Sequence, residues 1–205
     1  MMKLITILKK PSDSIKMTLD KPKTLTTFIA IIINALSVFL FSVKSLKIIY
    51  YDSINPLAEN SLDLNYFLTY LTIFFLIILY YLIYTLTVSF LASKLQKEKV
   101  SYKKVIASFS IPIIINTIFI LISYIFLYLI GLYSLLGLIA GIIITSYYTY
   151  HAISLALKLD YNKLGYVILI GKFLALIVTF FIINLIIINQ FTMLVTPRIL
   201  LWKKA

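Results

Sequence analysis

A chain of 205 residues that is 62% hydrophobic and 13% charged is neither a soluble domain nor a disordered segment; soluble domains are about half apolar and about a quarter charged. The net charge of +12 raises nucleic acid as a partner, but the basic residues are spread over separate short loops with no binding module, which excludes it. Cysteine is absent, so disulfide frameworks and thiolate metal sites are excluded as well. The composition predicts an all-α polytopic membrane protein, with five transmembrane helices in one bundle.

The first 23 residues, MMKLITILKKPSDSIKMTLDKPK, form a basic leader with six lysines. Pro11-Ser12-Asp13 suits a helix start, because proline fits the first turn and aspartate complements the helix dipole. The leader predicts a short helix lying along the inner membrane interface and ending before Pro22, with a disordered segment as the alternative. Five apolar segments follow, at about 24–43, 66–92, 107–129, 132–157 and 164–189, and a short tail closes the chain at 190–205. Each has roughly the 20 residues that a helix needs to cross the hydrocarbon core. None has the polar stripe of a soluble amphipathic helix. The third and fourth meet at Ile130-Gly131 with no charge between them, which predicts a tight helical hairpin. A re-entrant fifth segment is the alternative to a fifth crossing.

The lead into the third span reads SYKKVIASFSIPIIIN and places Pro112 near its start. Proline in a helix interior costs roughly 3 kcal/mol. The first turn tolerates it, and Ser108 and Ser110 can satisfy freed carbonyls nearby. Pro112 therefore predicts a helix start or a kink, with VIASFS lying along the interface as a lead-in.

Basic residues are unevenly shared between the two sides. With the N-terminus inside, the inner segments hold the six leader lysines together with Lys94, Lys97, Lys99, Lys103, Lys104, Lys158 and Lys163. The outer segments hold Lys44, Lys47, Arg198, Lys203 and Lys204. The positive-inside rule then predicts a cytoplasmic N-terminus and an outer C-terminus. The expected setting is multi-pass in a prokaryotic cell membrane, with the lipid bilayer as partner and anionic lipid at the inner face.

The search for chemistry returns little. All seven acidic residues lie outside the five segments, so no carboxylate is expected at membrane depth. His151 is the single histidine, which excludes a two-histidine metal site. No phosphate-binding or dinucleotide fingerprint occurs among five glycines. The sequence therefore predicts no catalytic group, no cofactor and no metal.

Six residues stand out as candidate structural, lipid or partner contacts: Pro112, Asn116, Gly137, Gly141, His151 and Lys172. His151 ends the run Tyr147-Tyr148-Thr149-Tyr150-His151. It reads as part of an inner aromatic belt, or alternatively as a substrate or proton-relay group. Lys172 is the one charge well inside a predicted span, about 12 Å beyond Leu164. It either snorkels to the inner interface or meets a lipid phosphate or a partner. Gly137 and Gly141 form a G-x-x-x-G that permits close helix approach, within the bundle or between two copies. Asn34, Asn116, Asn184 and Asn189 are expected to hydrogen-bond neighbouring helices; Asn34 and Asn184 could instead line a polar path.

The run Ala107-Ser108-Phe109-Ser110-Ile111-Pro112, followed by YYTYHAISLALKLDYNKLGYVILIGKF, resembles the Yip family of Ypt/Rab-interacting integral membrane proteins. Residues 105–180 carry the likeness, and 1–43, with Pro11 and Pro22, carry it more loosely. The resemblance implies five helices, a cytoplasmic N-terminus and no catalysis. Eukaryotic members act in vesicle traffic, bind small GTPases and carry a long cytoplasmic N-terminal region. That region has no counterpart in the 23 residues before the first span, so the likeness is to a short, prokaryote-like form. The function expected is non-enzymatic: membrane organisation, or scaffolding of a protein partner or a second copy. The alternative is the membrane subunit of a transporter or permease complex.

Overall fold

The computed structural model describes the backbone of residues 4–53, 63–96, 100–157 and 159–202, and most side chains between 5–45, 71–96 and 100–185. Every element among them is helical. The order is α1 (Leu4–Lys9), α2 (Pro11–Asp20), α3 (Thr24–Ser53), α4 (Asp63–Gln96), α5 (Tyr102–Ser108), α6 (Ser110–Ile130), α7 (Leu135–Leu157) and α8 (Tyr161–Trp202). A 3₁₀ turn, Gly131–Ser134, joins α6 to α7. Five stretches are long and apolar enough to cross a membrane: Thr24–Ser45, Leu71–Gln96, Tyr102–Leu127, Leu135–Leu157 and Tyr161–Ile182.

Some boundaries move. α3 continues past residue 43 to Ser53, so part of the expected first outer loop is helical. α8 is one unbroken helix through residues 190–202, with no re-entrant turn. Gly131 has φ 57°, a conformation that other residues adopt only at a cost, and this lets the chain leave α6 within one turn.

The helices close into a ring. α3 packs along both α4 and α6, α4 runs beside α8, α6 runs beside α7, and α7 meets α8 over a shorter stretch. α5 touches α2, α3, α4 and α7 and fills one end of the ring. VIASFS was expected to lie along the interface. Instead Val105, Ile106, Ala107, Ser108, Phe109 and Ser110 are all buried. The reason is apolar matching: Val105 and Phe109 join Tyr84, Val88 and Ala92 of α4, Ile153 and Leu157 of α7, and Leu164 and Val167 of α8 in one core. Phe109, 1% exposed, is among the largest fully buried side chains and meets the Tyr84 ring edge-to-face at 5.0 Å.

Candidate functional site

The α5–α6 break shows how Pro112 is accommodated. Phe109 lies between the two helices at φ −80°, ψ −16°, which makes Pro112 the third residue of α6. There its missing N–H belongs to the group that lacks intrahelical partners in any case. Ser108 Oγ donates to the Val105 carbonyl at 2.6 Å and Ser110 Oγ to the Ala107 carbonyl at 2.8 Å. The Ile113 N–H donates to the Phe109 carbonyl at 3.0 Å, so the hydrogen-bond ladder resumes directly beyond the proline.

At the same end of the ring lie α1 and α2. α2 begins at Pro11, as its first helical residue, and ends at Asp20. Pro11, Ser14, Ile15, Thr18 and Leu19 recur at helical spacing and are wholly or partly buried. Ile7 and Ile15 pack on Ile111 and Ile115 of α6 and Ala152 of α7. The opposite surface exposes Ile5, Leu8 and Met17 beside Lys9, Lys10 and Lys16. With Lys21, Lys23, Lys94, Lys103, Lys104 and Lys163, all exposed, they make this the basic end of the bundle. The acidic residues there are Asp13, Asp20 and Asp160, also exposed. Asp160 pairs with Lys163 at 3.3 Å, an exposed contact that contributes little.

Two polar contacts sit at membrane depth. In the first, Asn34 of α3, 1% exposed, donates through Nδ2 to Thr117 Oγ1 of α6 at 3.0 Å. Thr117 Oγ1 passes its own proton to the Ile113 carbonyl at 2.9 Å. The hydroxyl of Tyr81 on α4 donates to Asn34 Oδ1 at 3.4 Å, and the Asn116 side chain lies near the same hydroxyl. Asn34 thus ties α3, α4 and α6 together. Asn184, half-buried, instead donates to the Phe180 carbonyl of its own helix, and no cross-helix bond to it occurs among the described residues. The Asn189 side chain lies outside the described residues.

In the second, Lys172 Nζ of α8 donates to Ser146 Oγ of α7 at 3.3 Å. Lys172 is eleven residues into the Tyr161–Ile182 stretch, about 16 Å along the helix. Ser146 lies eleven residues from either end of Leu135–Leu157. Ser146 is therefore near the middle of its span, and the bond places the Lys172 ammonium group beside it. A lysine at the bilayer centre costs about 2.5–3.5 kcal/mol on insertion scales. One interhelical hydrogen bond returns about 0.6 kcal/mol. Ser146 alone does not offset the charge, and no acidic residue lies within the five candidate spans.

The aromatic run of α7 is divided rather than forming one belt. Tyr147 is exposed, Tyr148 packs toward Ile15 and Ile111, and the Tyr150 ring meets that of Tyr161 at 5.7 Å. His151 Nε2 is buried with no hydrogen-bond partner among the described residues. Among the same residues no group of three His, Cys, Asp or Glu comes together that could hold a metal ion.

The G-x-x-x-G motif is occupied within the chain. A Cβ on Gly137 would come 2.5 Å from Ser123 Oγ, and one on Gly141 would come 2.6 Å from Phe119 Cβ. Both contacts belong to the α6–α7 hairpin. Sequence reasoning missed Thr117, Tyr81 and Ser146 as partners, and Gly171, whose own missing Cβ would meet Val88 at 2.9 Å. Only Gly171 had a readable signal, since a glycine inside an apolar helix marks close approach.

A family model, the Yip1 domain, matches residues 5–183. The chain belongs to the Yip1 family. The matched Yip1 region runs from α1 to the end of the fifth candidate span and so takes in the basic end, the α5–α6 break and both intramembrane contacts. No curated protein and no solved structure matches the chain.

Proposed function

We propose that this Yip1-family chain is a non-enzymatic organiser of the membrane around it, working from its basic end. In this reading residues 1–23 are a cytoplasmic leader, 24–189 the membrane domain and 190–205 a tail, in a prokaryotic cell membrane. The observation that carries the reading is the seating of α1 and α2. They are buried on one side and offer Ile5, Leu8 and Met17 among lysines on the other. That is the pattern of a helix lying in the headgroup layer. Each basic residue near an anionic surface contributes on the order of 1 kcal/mol of attraction. The nine exposed lysines named above, against three exposed aspartates, would gather anionic lipid beneath the protein and present the same surface to an acidic partner.

Reconstitution in liposomes tests this. Because the chain has no cysteine, Lys103→Cys gives a single reactive thiol. In intact cells a membrane-impermeant thiol reagent should fail to label it, and in inverted vesicles it should succeed. Fluorescent phosphatidylglycerol should concentrate around the reconstituted protein, and neutralising Lys9, Lys10 and Lys16 should reduce the enrichment. Substrate-dependent solute flux through the reconstituted protein would replace this reading with the transporter one.

A further inference from the structure

We propose that Lys172 and Ser146 form an intramembrane site for the phosphate of a membrane lipid, reached sideways through the seam between α7 and α8. This inference is independent of the basic end and does not rest on the organising role. The seam is joined only part-way among the described contacts. Tyr150 meets Tyr161, and Ile153 and Leu157 share a core with Leu164 and Val167, all between Ser146 and the basic end. Lys172 to Ser146 is the last of these contacts. Beyond it α7 leans on α6 through Gly141 and Phe119, while the remaining described partner of α8 is α4. The flanking side chains there, Ile139 and Ile143 on α7 and Leu176 and Phe180 on α8, are exposed.

The ammonium group therefore sits where the helices part, half-buried and beside open apolar surface. It has three donors, and the structure assigns one to Ser146. Two turns further along the same face of α8, Thr179 Oγ1 is buried without a partner among the described residues. A cation held at this depth draws water and headgroups inward and thins the bilayer locally. The anion that arrives by that route is a lipid phosphate, whose acyl chains cover the exposed apolar flanks. A soluble phosphate has the same headgroup chemistry but no chains to hold it in the seam.

The test uses the full-length protein in vesicles of phosphatidylglycerol and phosphatidylcholine, with lysine side chains labelled with ¹⁵N. Magic-angle-spinning measurements should show a Lys172 Nζ signal dephased by lipid ³¹P; absence of that dephasing in the folded protein overturns the proposal. In native mass spectrometry, Lys172→Met should weaken the tightest-bound phosphatidylglycerol about tenfold. Lys172→Arg should retain it, and Lys103→Ala should leave it unchanged. Equal retention by Lys172→Met and the unaltered chain would overturn the site. The source is decided by adding inorganic phosphate to detergent-solubilised protein. Failure to displace the lipid supports a lipid site, while displacement at millimolar phosphate assigns the site to the soluble ion and overturns the lipid proposal. The dephasing measurement on the unaltered chain does not depend on any variant folding.

Discussion

The two sides of α7 are built in opposite ways. Against α6, two glycines remove side chains, so that Ser123 and Phe119 approach to contact and the pair packs along its length. Against α8, large aromatic and aliphatic groups join the basic half, and among the described residues a lysine–serine bond is the last contact. In lipid there is no hydrophobic drive between helices, so close packing and hydrogen bonds decide what stays together. The first side uses packing and is a fixed hairpin. The second uses a polar bond near mid-depth and leaves surface open beside it.

Substitutions can break or sharpen that contrast. The largest effect is expected from Phe109→Ala, because Phe109 belongs to the core that α4, α7 and α8 share; about 3–5 kcal/mol should be lost in unfolding from mixed micelles. Gly141→Ala should cost about 1–3 kcal/mol on the tight side, since its new methyl meets Phe119 Cβ, which is fixed to the backbone of α6. Asn34→Leu, across α3, α4 and α6, should cost about 1 kcal/mol by the same measurement, given bonds that average about 0.6 kcal/mol. Gly137→Ala should stay within about 0.5 kcal/mol, because the atom it meets is the Ser123 hydroxyl, which can rotate away. A Gly137→Ala cost equal to that of Gly141→Ala would show that the hairpin is limited by backbone approach alone. On the seam, Lys172→Met should cost no stability by that measurement, since the bond it loses is weak and the charge it removes is costly at that depth.

Much of the architecture was legible because lipid constrains the chain so strongly. Runs of Ile, Leu and Phe long enough to span had to be helices, and Gly131 between two such runs had to turn. Pro112 was legible as a start or a kink because few other positions tolerate it. What the sequence hid was pairing. Asn34 announced a need for a partner, but Thr117 and Tyr81 are common residues, and nothing local distinguishes them from their neighbours. The burial of VIASFS was hidden for a related reason: a short apolar lead-in after lysines looks the same whether it floats at the interface or plugs a bundle. Lys172 was visible as an anomaly, while Ser146 became visible only once α7 and α8 were placed side by side.

The seat of α2 also has a consequence in time. Ile15 rests on Ile111, Ile115 and Ala152, residues that the ribosome delivers roughly a hundred codons later. During synthesis the leader helix therefore has no place to dock. Its apolar edge is free to rest on the membrane until α7 has been threaded, and its docking marks the point at which the chain is complete enough to close.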